Sequence, residues 1–178
     1  MAYENPFELV SREFEKAKIP YILIGGFAVN FYKVSRSTLD VDFLMALEDF
    51  QSAVRVMEKN GYQKFDEGDF FVRLRPAGIA GMIVDFVLVD RTTLDKILQE
   101  ARPVKLGGLD FKVPSLNHLI ALKLHALKNN PRRGPKDLLD IFDLIKNNEM
   151  NITTEEFRQL CLKFGTEEVY SKILEVFK

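Results

Sequence analysis

Apolar positions along the chain recur at two different periods, and the change of period divides it. From Asn5 to Lys18, Phe7, Val10, Phe14 and Ala17 fall at helical spacing, Asn5 offers an N-cap and Pro6 occupies the first helical position, which predicts an amphipathic opening helix. After Pro20, "YILI" predicts a short buried strand, and "GGFAVNFYKV" predicts a turn leading into a helix with Phe27, Ala28 and Phe31 on its apolar side. "DVDFLMAL" predicts the next strand, and "EDFQSAVRVMEKN" a helix that stops near Gly61. "YQKFD", "DFFVRLR" and "MIVDFVLV" are rich in aromatic and β-branched residues, are punctuated by Gly or Pro, and predict further strands. A short helix over "DRTTLDKILQEA" and a hairpin turning on Gly107 and Gly108 complete this part. From Ser115 onward the period is helical throughout, with Ser115 and Thr153 or Thr154 as N-caps. The expected organisation is an α/β part over residues 1–114 and a helical part over 115–178 packed on it, with no flexible linker between them.

Composition narrows the class without naming a chemistry. At 178 residues and 47% hydrophobic content the chain can bury one sizeable core. Its 25 Lys and Arg against 26 Asp and Glu give a net charge of -1, so overall charge neither advertises nor excludes a nucleic-acid partner. The single cysteine, Cys161, cannot form an internal disulfide, and the charged N-terminal stretch does not read as a signal peptide. No window approaches the roughly 20 consecutive apolar residues of a membrane span. A soluble, cytoplasmic protein with no membrane partner is expected.

The informative anomaly is acidic. In a strand, residues two apart share a face, so Asp40 and Asp42 stand side by side while Val41 and Phe43 face the other way. Two like charges in a mainly apolar setting repel, and desolvation adds to the cost, so something positive should sit beside them. Asp85 is the lone charge in the apolar run "MIVDFVLV". If its strand neighbours that of Asp40 and Asp42, three carboxylates converge on one point. Such a set suits a hard divalent cation, Mg²⁺ or Mn²⁺, which takes carboxylate, water and phosphate oxygens. The bland alternative has Asp40 closing a turn, Asp42 paired with Arg36 and Asp85 a satisfied core polar group; the conjunction of all three with the upstream glycines favours the metal.

Gly25 and Gly26 follow an apolar strand and precede a helix, where backbone amides and the helix's positive end can meet a phosphate. Neither a P-loop nor G-x-G-x-x-G occurs in the chain. Between Ser115 and Lys136, Lys123, Lys128, Arg132, Arg133 and Lys136 form a tract without an acidic residue. From the residues alone it reads equally as a phosphate or RNA-backbone contact and as a solvated helix end. His118 and His125 are seven apart on one helix face with no third ligand evident, which argues against zinc.

A hydrophobic residue, Gly25-Gly26, thirteen intervening residues and then Asp40-Val41-Asp42-Phe43 resemble the signature of the polymerase-β-like nucleotidyltransferase superfamily. The form "GGFAVNFYKVSRSTLDVDFL", with Arg36 and Thr38 before the carboxylates, looks most like its AbiEii-type members, a group that includes toxins of bacterial toxin-antitoxin systems. The resemblance implies an α/β fold, a mixed sheet flanked by helices with a C-terminal helical region. It implies metal binding by Asp40, Asp42 and Asp85, with nucleotide contacts from Gly25, Gly26, Arg36 and Thr38. "ALKLHAL" and "RRGPKDLLDIFDL" are similar to downstream motifs that make Lys123 and Lys136 triphosphate ligands and Asp137 a further catalytic group. The implied activity is transfer of a nucleoside monophosphate from a nucleoside triphosphate to an acceptor hydroxyl, with tRNA, protein and a small molecule all open as acceptors and a cognate antitoxin as a further partner. A catalytically silent nucleotide- or partner-binding module on the same scaffold is the rival reading, and metal-dependent triphosphate binding without product would distinguish it.

Overall fold

The computed structural model describes residues 3, 5–78, 81–130 and 134–178. Two compact units emerge: one comprises residues up to Ala28 together with Arg36–Pro114, the other Val29–Ser35 together with Ser115–Lys178.

The first unit opens with α1 (Pro6–Ala17), whose N-cap Asn5 accepts a hydrogen bond from the Glu8 amide and whose C-cap Lys18 turns left-handed at φ 54°. Then come β1 (Tyr21–Leu23), α2 (Gly25–Phe31), β2 (Asp40–Ala46), α3 (Phe50–Lys59), β3 (Tyr62–Gly68), β4 (Phe71–Pro76), β5 (Ile83–Val89), α4 (Arg91–Gln99) and the hairpin strands β6 (Arg102–Leu106) and β7 (Leu109–Val113). Five strands form a sheet in the order β1-β2-β5-β4-β3. Only the central β2–β5 pair is parallel, so the sheet is mixed. One face is sealed by alternation: Val41, Phe43 and Met45 on β2 and Val84, Phe86 and Leu88 on β5 are buried. Phe14 of α1 meets Phe86 at 5.7 Å between ring centroids, Tyr21 meets Phe43 edge-on at 5.4 Å, and Phe111 of β7 stacks near Phe43 at 6.4 Å. This aromatic core fixes which face of β2 and β5 is left for polar side chains.

The second unit contains α5 (Leu116–Asn129), α6 (Gly134–Asn147), α7 (Glu155–Phe164) and α8 (Glu167–Val176). Ser115, Thr154 and Thr166 cap α5, α7 and α8 by accepting hydrogen bonds from the His118, Phe157 and Val169 amides. Asn147 and Asn148, at the end of α6, donate side-chain hydrogen bonds to the Lys33 and Tyr32 carbonyls at 2.8 and 2.9 Å. Those bonds tie Val29–Ser35 to the helices rather than to the strands that flank it in sequence.

Two local expectations change. No separate turn precedes α2, which begins on Gly25 itself, and Phe31, expected on its apolar side, is 40% exposed. No described helix is long and apolar enough to cross a membrane.

Candidate active site

The polar face of the sheet gathers charge because register places it there. Asp42 and Asp85 are direct partners in the parallel β2–β5 ladder, and Asp40 lies two residues back on the same face. Like charges directly opposite one another destabilise a sheet, so the pair needs compensation. Carboxylate oxygens of Asp40, Asp42 and Asp85 all lie within 4.8 Å of one another, each residue being half-buried.

The described compensation comes from β4. Arg73 is the antiparallel partner of Asp85, and its Nε donates to Asp85 Oδ1 at 3.0 Å. A second guanidinium nitrogen stands 4.0 Å from Asp66 Oδ2. The guanidinium is held above its ordinary pKa chiefly by the hydrogen bond to Asp85, against an opposing effect of burial, with the charges of Asp85, Asp66 and Asp40 adding to the rise. Thr38 secures the neighbouring carboxylate, its hydroxyl donating to Asp40 Oδ1 at 2.6 Å.

The two glycines earn their place by what stands against them. Gly25 adopts φ +63°, and a Cβ there would fall 1.9 Å from Asp42 Oδ2; a Cβ on Gly26 would lie 2.8 Å from Thr38 Cβ. Their bareness admits the carboxylate and the threonine, a steric demand separate from the phosphate contact expected of them. Arg36 is half-buried and belongs to the same unit.

Lys123 and Asp137 belong to the second unit, where they bind each other. Lys123 Nζ lies 3.1 Å from Asp137 Oδ1 and 2.6 Å from Asp140 Oδ2, with all three side chains less than a tenth exposed. Asp137 and Asp140 are three apart on α6 and so present neighbouring faces to α5. Lys136 is exposed on the first turn of α6 and Lys128 lies in the last turn of α5. Arg132 and Arg133 of the basic tract lie outside the described residues.

Sequence reading missed Arg73 and Asp140. For Arg73 a signal existed: "FVRLR" alternates, placing Phe71, Arg73 and Arg75 on one face and Val72 and Leu74 on the other. For Asp140 the signal was its phase with Ile141, Leu144 and Ile145, the buried stripe of α6.

Three converging carboxylates supply the hard oxygen donors that Mg²⁺ or Mn²⁺ takes, and the absent Cβ of Gly25 lets Asp42 Oδ2 take its place in the cluster. These residues fit a divalent cation.

The class follows from the comparisons. A family model described as an uncharacterised nucleotidyltransferase matches residues 2–178, and the chain belongs to that nucleotidyltransferase family. No curated protein matches it. Among solved structures it is similar to an antigenic nucleotidyltransferase-like protein from Paracoccidioides brasiliensis, with a TM-score of 0.55 and 17% identity over 98% of this chain and 94% of that one. It is also similar to the antibiotic-resistance factor ANT(2'')-Ia, with a TM-score of 0.58 and 15% identity over 96% of this chain and 88% of that one. The lincosamide antibiotic adenylyltransferase LnuA gives a TM-score of 0.56 and 14% identity over 83% and 97%. At such identities the likeness shows the fold, a nucleotidyltransferase-type mixed α/β architecture.

Proposed function

We propose that the protein transfers a nucleoside monophosphate from a nucleoside triphosphate to an acceptor hydroxyl, releasing pyrophosphate. The observation that carries this reading is the cluster of Asp40, Asp42 and Asp85 across the β2–β5 register, beside a glycine whose missing side chain admits the Asp42 carboxylate. Asp40, Asp42 and Asp85 would hold Mg²⁺ or Mn²⁺, and the bound ion supplies charge neutralisation for the triphosphate and its leaving pyrophosphate. Thr38 and Gly25 keep Asp40 and Asp42 in place as ligands. Asp85 takes the acceptor's hydroxyl proton as that oxygen bonds to the α-phosphorus and the bond to the β-phosphate oxygen breaks. Gly25, Gly26, Arg36 and Thr38 line the triphosphate's approach, all four within the first unit. The buried pairing of Lys123 with Asp137 and Asp140 gives those residues a structural role within the helical unit.

The resemblance of "GGFAVNFYKVSRSTLDVDFL" to AbiEii-type enzymes supports a macromolecular acceptor, tRNA or protein, in the cytoplasm, and a toxin-like role countered by a cognate antitoxin. ANT(2'')-Ia and LnuA, whose structures include tobramycin and lincomycin compounds, make those antibiotics the small-molecule acceptors to include. The test is incubation of the purified protein with Mg²⁺, each α-labelled nucleoside triphosphate in turn, and lysate RNA, lysate protein, tobramycin or lincomycin. Label entering an acceptor with the wild type but not with Asp42→Ala supports transfer and names the acceptor. Triphosphate binding with no product in any mixture would replace transfer by a silent binding module.

A further inference from the structure

The carboxylate cluster carries its own cation, placed by the regular β4–β5 register and flanked by an irregularity in the neighbouring β3–β4 ladder. In the β3–β4 ladder Lys64 pairs with Leu74 and Asp66 with Arg73, so Phe65 is the extra residue of a bulge. Bulges re-aim a side chain, and this one sets the Phe65 ring 5.4 Å from the Arg73 guanidinium carbon and 5.5 Å from that of Arg75. Arg73 in turn bonds Asp85, which is in register with Asp42. A bulge, a ring, a guanidinium and a carboxylate thus form one chain ending in the acidic cluster.

We propose that Arg73 is a built-in counter-cation that stabilises the metal-free site and weakens metal binding until a nucleotide arrives. The inference rests on the metal site proposed above. Three carboxylates within 4.8 Å of one another repel when no cation is bound, and Arg73 offsets that repulsion from the Asp85 end. The same fixed positive charge opposes an incoming divalent ion and commits Asp85 Oδ1 to a hydrogen bond, leaving Asp40 and Asp42 to take most of the load. A triphosphate adds negative charge and overcomes this opposition, so metal loads together with nucleotide. Arg73 is a positioning residue in this scheme, and Phe65 orients it.

The test is Mn²⁺ binding to the nucleotide-free protein, followed by electron paramagnetic resonance, together with melting temperature with and without Mn²⁺. The proteins are the wild type, Arg73→Met, Arg73→Lys and Asp42→Asn. Removing one positive charge near a divalent ion in partly solvated surroundings should tighten Mn²⁺ binding on the order of tenfold in Arg73→Met. Its metal-free melting temperature should fall, and saturating Mn²⁺ should restore most of the loss. Arg73→Lys keeps the charge and should bind Mn²⁺ within about twofold of the wild type. Should Arg73→Met fail to fold, adding Mn²⁺ during refolding should recover it; failure to recover, or Arg73→Lys binding as tightly as expected of Met, overturns the proposal. Unchanged or weaker Mn²⁺ binding by folded Arg73→Met overturns it while leaving the metal site standing. Wild-type protein that binds no more Mn²⁺ than Asp42→Asn removes the metal site and this inference with it.

Discussion

Gly25 sits at φ +63° with Asp42 Oδ2 in the space a side chain would fill. Gly25→Ala therefore incurs a left-handed backbone cost of about 1–2 kcal/mol and pushes the Asp42 carboxylate aside. A fall of several degrees in melting temperature is expected together with loss of Mn²⁺ binding; retention of wild-type binding would show that Asp42 has no need of that space. Cys161 makes a separate residue-scale prediction. Burial pushes its thiol up to about 12 from 9.0, and only the thiolate is nucleophilic. Iodoacetamide at pH 8 should leave the native protein unlabelled and label it promptly in denaturant. Because the folded value is the higher one, the stability contributed by the neutral thiol is complete below pH 9.0 and is lost as pH rises from there toward about 12. Residue chemistry was the part most legible in the chain: Asp40, Asp42 and Asp85 stood out because charge is costly in apolar strands. Arg73 did not, since an arginine on an alternating strand is ordinary until its partner strand is known.

Elements were legible wherever period and caps agreed. Asn5 before Pro6 marks the start of α1, and the apolar runs of β2 and β5 announce themselves. Strand order was not legible: β5 lies between β2 and β4, a long-range pairing that brings Asp85 to Asp42 on one side and to Arg73 on the other. Nor was the bulge at Phe65, which reflects the mismatch between β3 and β4 rather than any local motif. At α6, Asp137 and Asp140 ride the same buried stripe as Ile141 and Leu144, held by Lys123 of α5. Lys123→Met leaves two buried carboxylates without their ammonium partner and should cost about 3–5 kcal/mol. The exposed Lys136→Ala should change stability by no more than about 0.5 kcal/mol. Urea unfolding of the two variants checks both figures, and an equal effect at the two positions would refute the buried-triad account.

At the scale of the whole molecule, a chain of net charge -1 concentrates its chemistry locally. Asp40, Asp42, Asp85, Arg73, Thr38 and both glycines fall within one unit, while the Lys123 triad falls within the other. The change of hydrophobic period at Ser115 foreshadows the helical segment, but the grouping of Val29–Ser35 with it depends on the side-chain amides of Asn147 and Asn148, which no periodicity records. Family membership over residues 2–178 and the converging carboxylates support the proposed nucleotidyl transfer at the β2–β5 cluster. The measurement that bears on it most directly is the initial rate of label transfer from an α-labelled nucleoside triphosphate to the acceptor, with Mg²⁺, for the wild type and the near-isosteric Asp42→Asn. A loss of about a hundredfold or more is expected in the variant, with the fold retained by circular dichroism. Equal rates for the two proteins would place the chemistry elsewhere and contradict it.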